Sequence, residues 1–577
     1  MNGFSPQQSR TQRADGLSTG LLDVLVIGGG IVGAGVARDA AMRGLRVGLV
    51  EQYDFASGTS SRTSRLLHGG LRYLAQGRLK LVYQASCEKR TLHHIAAHLA
   101  EPLAFVFPTY RRSGWPLWKL SIGVRLYDLL CGGRNLGPSS SLGRKAAMAL
   151  LPGLAEPSLT GAVRYFDGLT NDARLVLDTL RSAAAHGAIV RNYFRMEEAS
   201  SGANGWTCRV RDSESDRTLD VRCRTVVHAT GPWGARLPQS RLRLRLTKGV
   251  HLVVDRRRLP VPDAVVMAEG SRILFAIPWG ERVILGTTDT DFDGPPESVR
   301  TEPADVAYIL RIVNRAFPQA ALTPDDVLST WAGLRPLVAD RRGRPSDISR
   351  AHQIAMSEPG WFDVAGGKLT TYRLIAEETV DRLARFLGMK DRCASTAGEP
   401  LVTAADAGPA SAIVPPEPSR ELVDRYCTHE WAVHLDDVMI RRTSWHYYMP
   451  DRAALSDQVA DWMGDAAPLG ERPDAGVLRR AFAAHCDEMT GYLHRMHAFY
   501  GGPDIQLPLS GGKDSRLILA LLIKAGLKDS IRQIYTNGPL YAPDVLSAQA
   551  VAEKAGLSGI HRINRPDPVP SAVSLGM

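Results

Sequence analysis

The sequence lacks long apolar runs and closely spaced cysteines. No stretch of about 18 apolar residues, the length that a membrane-spanning helix needs, occurs in it. Its first twenty residues carry no apolar run typical of a signal peptide and are predicted to form a disordered tail, 1–20. The seven cysteines are scattered without a CxxC pair, so neither a disulfide framework nor a metal site is predicted. A cytoplasmic location is expected, and a peripheral membrane contact stays open.

The composition is that of a globular protein of several domains. Hydrophobic residues make up 44% and charged residues 23% of the 577 residues, and two to four domains are expected. The net charge of +10 would favour binding to nucleic acid, to an anionic membrane face or to phosphorylated small molecules. Because no module combining basic and aromatic residues for nucleic-acid binding is present, no nucleic-acid partner is predicted.

Segment 22–51 has the pattern of a βαβ unit that binds a dinucleotide. An apolar strand leads through Gly28, Gly30 and Gly33 into a helix, and a second apolar strand ends at Glu51. The glycines allow a tight turn, close approach of the backbone to a pyrophosphate, and close helix–strand packing. Glu51 is placed to accept a hydrogen bond from a ribose hydroxyl. The pattern predicts dinucleotide binding and does not by itself separate NAD from FAD.

Polar and glycine-rich stretches farther along the chain could complete a cofactor site. Loop 55–74 could donate hydrogen bonds to phosphate or a flavin, or it could be a solvated surface loop. The strand VVHATG (226–231) is expected to end beneath the cofactor, and GGKLTTYR (366–373) is expected to aim backbone N–H groups at the flavin. The candidate cofactor-binding residues in these stretches are Thr59, Ser60, Ser61, His68, Gly69, Thr230, Gly231, Gly366, Gly367, Leu369 and Thr370.

Motifs in the same order along residues 22–385 resemble the FAD-dependent glycerol-3-phosphate dehydrogenases of the aerobic, quinone-linked type. The most specific of them are GTSSRTS (58–64), HGGLRYL (68–74) and GGKLTTYR (366–373). The resemblance implies FAD and an α/β fold in which a Rossmann-like cofactor domain is interleaved with an antiparallel substrate domain, within 21–390. The cofactor half is expected near 22–100, 160–240 and 330–385.

The resemblance also implies a substrate and a reaction. The substrate would be sn-glycerol 3-phosphate, whose alcohol carbon gives a hydride to flavin N5 to form dihydroxyacetone phosphate, and a quinone or another acceptor would reoxidise the flavin. Arg72, Tyr73, Arg350 and Lys368 would bind the substrate, with His251 as general base and Arg335 polarising the developing oxyanion. Taken singly, each arginine is more often a surface ion pair.

The segment 113–131 mixes aromatic, aliphatic and basic residues. Trp115, Trp118 and Leu126 alternate there with cations such as Lys119 and Arg125. Such a segment could lie in a membrane interface, or it could be an amphipathic helix packed on the core.

The residues that follow the cofactor domain are predicted to form a linker and a helical cap. Residues 391–418 are rich in Ala, Pro and Gly and indicate a linker or loop. The cap is predicted at 419–487: residues 421–448 show helical periodicity, and DDVMIRRT (436–443) resembles the C-terminal cap of the same dehydrogenases. The arginines of the cap are predicted to be solvated, and a position in a domain seam is the alternative.

The last segment, 488–577, is predicted to be a partial parallel α/β module. It resembles the ATP-pyrophosphatase domain of asparagine synthetases through an SGGxDS loop that could cradle pyrophosphate. The residues of this loop are Ser510, Gly511, Gly512, Asp514 and Ser515. The later acidic metal-binding motif of that family is lacking. Truncation, a fusion of gene fragments and completion by a partner chain are alternative explanations.

Three functions therefore remain open at this stage. The first is a glycerol-3-phosphate dehydrogenase, and the second is a related flavin oxidoreductase acting on another anionic hydroxy or amino compound. The third is an ATP-dependent amide-forming ligase in which the flavin half is secondary, or a merely structural flavoprotein. Val32 stands where many relatives have Asn, and Ala365 where they often have Phe, so the pocket beside the flavin is expected to differ from theirs. The retained cations favour the first function.

Overall fold

The chain is described by a computed structural model as two compact units. The described residues are 16–69, 79–111, 114–130, 135–270, 272–338, 352–389, 394–466, 490, 504–508, 513–537 and 543–564. The units are Met1–Ala467 and Pro468–Met577. The division falls inside the predicted cap, 419–487, whose residues up to 467 belong to the first unit. Within the predicted 1–20 tail, Leu17 is fully buried, because it packs against the first strands of the unit.

The first sheet of the first unit is largely parallel and forms the cofactor half of the fold. Its strands are β1 (Leu22–Ile27), β2 (Val47–Glu51), β7 (Ile189–Asn192), β8 (Phe194–Gly202), β9 (Gly205–Asp212), β10 (Thr218–His228), β17 (His352–Glu358) and β18 (Trp361–Gly366). The strand order is β17-β18-β10-β1-β2-β7, with β8 and β9 continuing from β10. Strand β1 is apolar at almost every position because it lies between parallel neighbours with both faces covered.

Helices α1 (Ile31–Met42), α5 (Asp172–Ala185) and α7 (Tyr372–Phe386) pack together beside this sheet. Helix α1 lies against both of the others and is buried at nearly every position. Its small residues permit the close contact, since a Cβ on Gly35 would lie 2.9 Å from the ring of Tyr372.

The second sheet is mainly antiparallel and has ten strands. They are β3 (Leu66–Leu67), β4 (Glu101–Tyr110), β5 (Ser140–Gly143), β6 (Leu159–Leu169), β11 (Leu244–Asp255), β12 (Ala264–Glu269), β13 (Arg272–Trp279), β14 (Arg282–Gly286), β15 (Thr290–Asp291) and β16 (Val327–Val338). The order is β15-β11-β14-β13-β12-β4-β6-β3, with β16 paired to β11 and β5 to β6. Helix α6 (Pro303–Ala316) starts at a capping box of Glu302 and Asp305 and packs on this sheet.

The chain passes back and forth between the two sheets, as the predicted interleaving requires. Strands β1 and β2 lie in the first sheet, β3–β6 in the second, β7–β10 in the first, β11–β16 in the second and β17–β18 in the first. The predicted cofactor span 22–100 was wrong in part, because β3 lies in the antiparallel sheet. The strands β6 and β16, which overlap the predicted spans 160–240 and 330–385, lie there as well. Each is held there by a long antiparallel partner, β4 for β6 and β11 for β16.

Three further helices border the second sheet, and one of them has two apolar faces. They are α2 (Leu79–Ile95), α3 (Leu117–Leu130) and α4 (Arg144–Leu150). Helix α3 buries Leu120, Val124 and Tyr127, whereas Trp118 is 67% and Leu129 73% exposed. None of the described helices combines the length and apolarity that crossing a bilayer requires.

The predicted linker is packed against the first unit over its described part, 394–418. Its backbone carbonyls accept hydrogen bonds from buried side chains: Arg38 donates to the oxygens of Thr396 and Glu399, and Trp279 Nε1 donates to that of Ile413. The segment contains one short helix, α8 (Ala404–Ala407), and is otherwise mostly a loop.

The cap continues as helices with their own apolar core. They are α9 (Arg420–His429), a π-helical turn (Asp437–Arg442), α10 (Trp445–Tyr448) and α11 (Arg452–Ala466). The prediction of solvated arginines was wrong for Arg441 and Arg442, which lie against the buried carboxylate of Asp54. A buried carboxylate needs such partners, and Asp54 is far away in sequence.

The second unit contains a small parallel sheet. Strands β19 (Ile505–Pro508), β20 (Ile531–Asn537) and β21 (His561–Asn564) pair in that order, and helices α12 (Lys513–Lys524) and α13 (Pro543–Lys554) connect them. The predicted alternation of strand and helix is matched. Ser510, Gly511 and Gly512 lie outside the described residues, and Asp514 and Ser515 lie in the first turn of α12. The resemblance to an ATP-pyrophosphatase domain stays a prediction.

Candidate active site

The turn between β1 and α1 fits the pyrophosphate of a dinucleotide. Gly28 has φ +111°, and a Cβ there would lie 2.6 Å from the carbonyl oxygen of Ala229. A Cβ on Gly33 would lie 1.9 Å from the carbonyl oxygen of Gly28, so the helix can approach the turn only with glycine at this position. Gly30 is the N-cap of α1. The glycines therefore let the turn and the N-terminus of α1 lie close together, and a pyrophosphate anion would bind at this N-terminus.

Glu51 stands at the carboxyl end of β2, against this turn. Its Oε2 accepts a hydrogen bond from Gly29 N at 2.7 Å, and its Oε1 accepts one from Tyr53 N at 3.0 Å. Burial raises the pKa of Glu51, and the two N–H donors oppose that rise. The side chain lies in the cavity wall at the position predicted for a ribose contact.

Residues 51–65, here called the cofactor loop, are tied to several elements around the cavity. Ser60 Oγ accepts from Ile31 N at 3.0 Å, which fixes the loop to the start of α1. Thr59 Oγ1 donates to the carbonyl oxygen of Leu334 at 2.6 Å, on β16. Thr63 donates through both its N and its Oγ1 to Asp172 Oδ2. The loop is thus a fixed part of the site and is not a solvated surface loop.

The glycine-rich segment after β18 forms another wall. Gly366 and Gly367 both have positive φ, +75° and +88°, and they lead through a short helix, Leu369–Thr371, into α7. Thr370 Oγ1 accepts from His68 N at 3.1 Å, which joins this segment to the end of β3. Because two successive glycines adopt the left-handed region, the backbone can turn tightly there without steric strain.

The end of β10 carries a buried histidine–carboxylate pair beneath the cavity. His228 Nδ1 lies 2.8 Å from Asp363 Oδ1 on β18, and His228 Nε2 lies 2.7 Å from Thr230 Oγ1. Burial alone would raise the pKa of Asp363, but hydrogen bonds from His228 and Ser357 outweigh it and lower that pKa. The pair fixes the position of Thr230, as expected for a residue beneath a cofactor.

A cavity of about 880 Å³ connects these segments. The predicted cofactor residues in its wall are Gly28, Gly30, Glu51, Thr59, Ser60, His68, Thr230, Gly231, Gly366, Gly367, Leu369 and Thr370. Gly33, Ser61 and Gly69 are not in the wall: Gly33 acts through helix packing, and Gly69 N is bonded to Tyr127 and Asp167. The pocket size, the glycine cradle and the carboxylate of Glu51 fit FAD.

His251 lies at the inner end of this cavity and is fully buried. It is on β11, opposite Trp331 on β16, and the two rings are stacked with centroids 5.2 Å apart. Its Nε2 meets Ser64 Oγ at 2.8 Å. A Cβ on Gly286 would lie 2.4 Å from the imidazole, so glycine on the neighbouring strand makes room for the ring. Burial, then Arg335 and Arg65, lower the pKa of His251 to about 3, so the imidazole is neutral.

Arg335 shares the same wall and has a fixed guanidinium. Its Nη1 lies 3.2 Å from Asp289 Oδ1, and its Nη2 donates to Thr287 Oγ1 at 3.0 Å. A Cβ on Gly249 would lie 2.4 Å from Nη2, so glycine at this position of β11 leaves room for the guanidinium. His251 and Arg335 are thus brought together by adjacent strands.

Of the predicted substrate residues, one lies among the described residues. Lys368 precedes the short helix Leu369–Thr371 and lines the cavity. Arg72, Tyr73 and Arg350 lie outside the described residues, and their roles stay predictions.

Two arginines of the cofactor loop were missed by the sequence analysis. Arg65 is fully buried, with Cζ 4.3 Å from the ring centroid of Trp279 and 5.5 Å from that of Trp331. Arg62 lines the cavity, donates to the carbonyl oxygen of Ala332, and has no acidic partner among the described residues. Arg62 lies inside the GTSSRTS motif (58–64) and Arg65 directly follows it, and this was the available signal.

Comparison with known proteins agrees with this site. A family model described as FAD dependent oxidoreductase matches residues 23–382. The chain therefore belongs to the FAD-dependent oxidoreductase family, and FAD is its cofactor.

Its relatives narrow the class. A glycerol-3-phosphate dehydrogenase of Mycobacterium leprae is 36% identical over 544 residues, covering 83% of this chain and 92% of the relative. Glycerol-3-phosphate dehydrogenase 2 of Mycobacterium bovis is 41% identical over 378 residues, or 64% of each chain. The crystal structure of the Bacillus halodurans glycerol-3-phosphate dehydrogenase complexed with FAD superposes with a TM-score of 0.64 at 29% identity, over 80% of this chain and 94% of that one. Within its family, the chain is an enzyme of the FAD-dependent glycerol-3-phosphate dehydrogenase group.

Proposed function

We propose that the chain oxidises sn-glycerol 3-phosphate to dihydroxyacetone phosphate. One observation carries the proposal: a buried, neutral imidazole and two cationic side chains share the wall of a cavity that is otherwise built from predicted cofactor-binding segments. These side chains are His251, Arg335 and Lys368. The names of the mycobacterial and Bacillus relatives give the same substrate.

The chain's residues divide the work of binding and proton transfer. Bound FAD supplies flavin N5 as the acceptor of the hydride from the alcohol carbon. Lys368 contributes a cation for the phosphate, together with Arg72, Tyr73 and Arg350 of the resembling motifs. Arg335 stabilises the negative charge that grows on the alcohol oxygen as the hydride leaves.

His251 removes the hydroxyl proton in this proposal. The proton acceptor in this proposal is Nε2, which lies 2.8 Å from the Ser64 hydroxyl oxygen, while Nδ1 is fully buried. Burial and two neighbouring guanidinium groups lower the pKa of His251. A phosphate dianion in the cavity opposes the effect of those guanidinium groups, so substrate binding raises the basicity of the imidazole. Proton removal is thereby coupled to substrate occupancy.

Anaerobic reduction of the flavin tests the substrate. Glycerol 3-phosphate is expected to bleach the yellow protein, whereas glycerol, lactate and amino acids are expected to leave it oxidised. Glycerol is the matched control, because it keeps the alcohol and lacks the phosphate that the cations bind. Bleaching by another anionic hydroxy or amino compound, with none by glycerol 3-phosphate, would instead identify a related oxidoreductase.

We further propose a quinone-type electron acceptor that reaches the cavity along its apolar side. That side is lined by Phe105, Phe107, Trp115, Leu120 and Phe275. Leu120 belongs to α3, which therefore borders the cavity on its inner face and exposes apolar residues on its outer face. An apolar ring is suited to such a wall. Turnover with a short-chain quinone should fall in Phe275→Asp while anaerobic flavin reduction by glycerol 3-phosphate persists.

The exposed face of α3 supports peripheral contact with the cytoplasmic face of a membrane. Trp118, Ile122 and Leu129 lie on it, with Lys119 and Arg125 beside them. Such a helix can place its apolar side chains among lipid headgroups while its cations meet anionic lipids. Sedimentation with phosphatidylglycerol vesicles should decrease in the triple variant Trp118→Gln/Ile122→Gln/Leu129→Gln. Equal partitioning of wild type and variant would contradict the membrane contact.

The C-terminal unit supports a separate ATP-binding proposal. Residues 509–512 connect the carboxyl end of β19 to the start of α12, and ligands of parallel α/β sheets bind at that edge. The SGGKDS sequence there is typical of loops that hold pyrophosphate. We expect pyrophosphate release from ATP by the full chain, alone or with a partner chain, and its loss in Asp514→Asn. Unchanged flavin reduction in that variant would show that the two activities are independent.

A further inference from the structure

Among the contacts between the cap and the active-site framework are three that bear on Asp54, Arg65 and His251. Two of them lie near opposite ends of the cofactor loop, at Asp54 and Arg65. The third is Trp331, the residue that stacks on His251. Neither the family model, which ends at residue 382, nor the predicted site includes the cap residues that make these contacts.

The first contact is a buried ion pair. Arg441 Nε and Arg442 Nη1 both donate to Asp54 Oδ2, and Arg442 Nη2 donates to Asp54 Oδ1 at 3.0 Å. Asp54 and Arg442 are almost completely buried. The arginines are sequence neighbours at the end of the π-helical turn, and both reach one carboxylate. π-Helical turns of this kind are frequent at functional sites.

This ion pair fixes the part of the loop that follows the ribose carboxylate. Asp54 is three residues after Glu51, and Ala56 N donates to the carbonyl oxygen of Gly29 in the phosphate-binding turn. Asn192 at the end of β7 also donates to Asp54 Oδ1, at 3.0 Å. A movement of Asp54 would therefore carry Glu51 and the turn with it.

The second contact holds Arg65. Ser444 Oγ accepts from Arg65 Nη2 at 2.8 Å, and both residues are fully buried. Ser444 itself has a left-handed backbone, with φ +64°, in the turn before α10. Arg65 directly follows Ser64, which is bonded to His251.

The third contact supports His251 indirectly, through Trp331. The ring of Tyr447 lies 5.1 Å from that of Trp331, whose other neighbour is the imidazole of His251 at 5.2 Å. Tyr447 is anchored to the same strand through its carbonyl oxygen, which accepts from Ser329 Oγ at 2.7 Å. Three rings from the cap and two neighbouring strands thus form a continuous row of contacts that ends at His251, with Tyr447 tilted against Trp331 and Trp331 stacked on the imidazole.

We propose that the cap is part of the active site's supporting framework. Arg442 is a positioning residue for the cofactor loop, and Tyr447 is a positioning residue for His251. The first assignment concerns FAD binding alone, and the second rests on the proposed function of His251.

The FAD assignment is tested in the full chain by titrating the flavin-free protein with FAD. Arg442→Gln leaves the Asp54 carboxylate under-compensated, and we expect the dissociation constant for FAD to rise by at least about tenfold. Asp54→Asn/Arg442→Gln removes both charges and is expected to recover part of the affinity. Arg452→Gln, at an exposed arginine of α11, is the matched control and should bind FAD as the wild type does. Unchanged FAD affinity in Arg442→Gln, with only a lower melting temperature, would overturn this assignment. The result does not depend on the substrate.

The histidine assignment is tested by the rate of anaerobic flavin reduction in FAD-saturated protein. Tyr447→Ala is expected to lower this rate by about tenfold with FAD affinity unchanged, and Tyr447→Phe is expected to restore it, because the ring is retained. The matched control is Trp462→Ala, since Trp462 packs against the cap's own core. An equal loss of rate in Trp462→Ala and Tyr447→Ala would overturn the assignment, because the effect would then be general loosening of the cap. If the wild type is not reduced by glycerol 3-phosphate, the proposed function fails, while the FAD titration still decides the role of Arg442.

Discussion

Lys89 Nζ lies 2.8 Å from Asp167 Oδ1, and both side chains are almost completely buried. The same carboxylate oxygen accepts from Tyr127 Oη at 2.7 Å and from Gly69 N at 3.3 Å. Helices α2 and α3 are thereby tied to the first residues of the HGGLRYL motif. The ion pair fixes the point at which the chain enters the segment expected to carry Arg72 and Tyr73.

Replacing Lys89 should therefore destabilise the first unit strongly. Lys89→Met leaves Asp167 buried without its cation, which costs about 3–5 kcal/mol of unfolding free energy. Lys80→Met, at an exposed position of the same helix, should change it by less than about 0.5 kcal/mol. Urea unfolding followed by circular dichroism measures both. Equal effects of the two substitutions would contradict the importance of the buried pair.

Substitution of His251 should affect catalysis more than cofactor binding. If His251 takes the hydroxyl proton, His251→Ala should lower kcat by about 10²-fold or more. Its FAD content should stay at the wild-type level, because the cofactor contacts lie on other segments. Stopped-flow flavin reduction and the protein-to-flavin absorbance ratio separate the two effects. A loss confined to flavin content would remove the base from the mechanism.

The buried imidazole should also make stability depend on pH. The pKa of His251 is lowered by burial from 6.5 to about 3, so below pH 6.5 the unfolded chain binds a proton that the folded chain does not. The stabilisation is complete above that pH and is lost as the pH falls toward 3, by about 1.4 kcal/mol per pH unit. Urea unfolding of the wild type and His251→Gln between pH 7.5 and 5 shows how steeply the unfolding free energy of each protein changes with pH. Parallel curves would contradict a neutral buried imidazole.

Arg65 is expected to influence the pKa of His251. Its guanidinium contributes to lowering the pKa of His251, after burial and Arg335. In Arg65→Met that pKa should rise, so the acid limb of flavin reduction should move to higher pH. A pH series of reduction rates in the wild type and the variant, both saturated with FAD, measures the movement. An acid limb that stays in place would assign the low pKa to burial and Arg335 alone.

Glycine is required at one position of the nucleotide turn and is dispensable on a surface helix. In Gly33→Ala the new methyl group would meet the carbonyl oxygen of Gly28, so the turn must open, and FAD affinity should fall by at least about tenfold. In Gly123→Ala, on α3, the methyl group meets nothing within 4 Å and should stabilise the protein by up to about 1 kcal/mol. FAD titration measures the expected loss of affinity in Gly33→Ala, and thermal unfolding measures the expected gain of stability in Gly123→Ala. Full FAD affinity in Gly33→Ala would contradict the close packing.

The cofactor half was predictable where its signals are local. The path from β1 through Gly28 and Gly33 to Glu51 is one continuous stretch, and its periodicity and glycine spacing determine its structure. The turn at Gly366 and Gly367 was predictable for the same reason. The backbone geometry there is set by residues adjacent in sequence.

The surroundings of His251 could not be predicted in the same way. Its contact with Trp331 depends on the register between β11 and β16, and its contact with Ser64 joins residues that are distant in sequence. Arg442 was expected in solvent because no residue near it in the sequence was identified as its partner. Its partner is Asp54, which is distant in the sequence. Such contacts follow from tertiary packing, which a single sequence does not specify.

The interleaving of the two sheets has a consequence for assembly. Strand β1 lies at the centre of its sheet, but its neighbour β10 ends at His228 and the strand that pairs with β10, β18, ends at Gly366. A nascent polypeptide must therefore keep the edge of β10 unpaired while β11 to β16 of the second sheet are synthesised. Because β18 leads directly into the Gly366–Gly367 turn, the last pairing of the sheet also completes the flavin pocket. If the gene were split between Leu22 and Gly366, neither fragment would contain the complete flavin pocket. The two fragments would have to reassociate before they could bind the flavin.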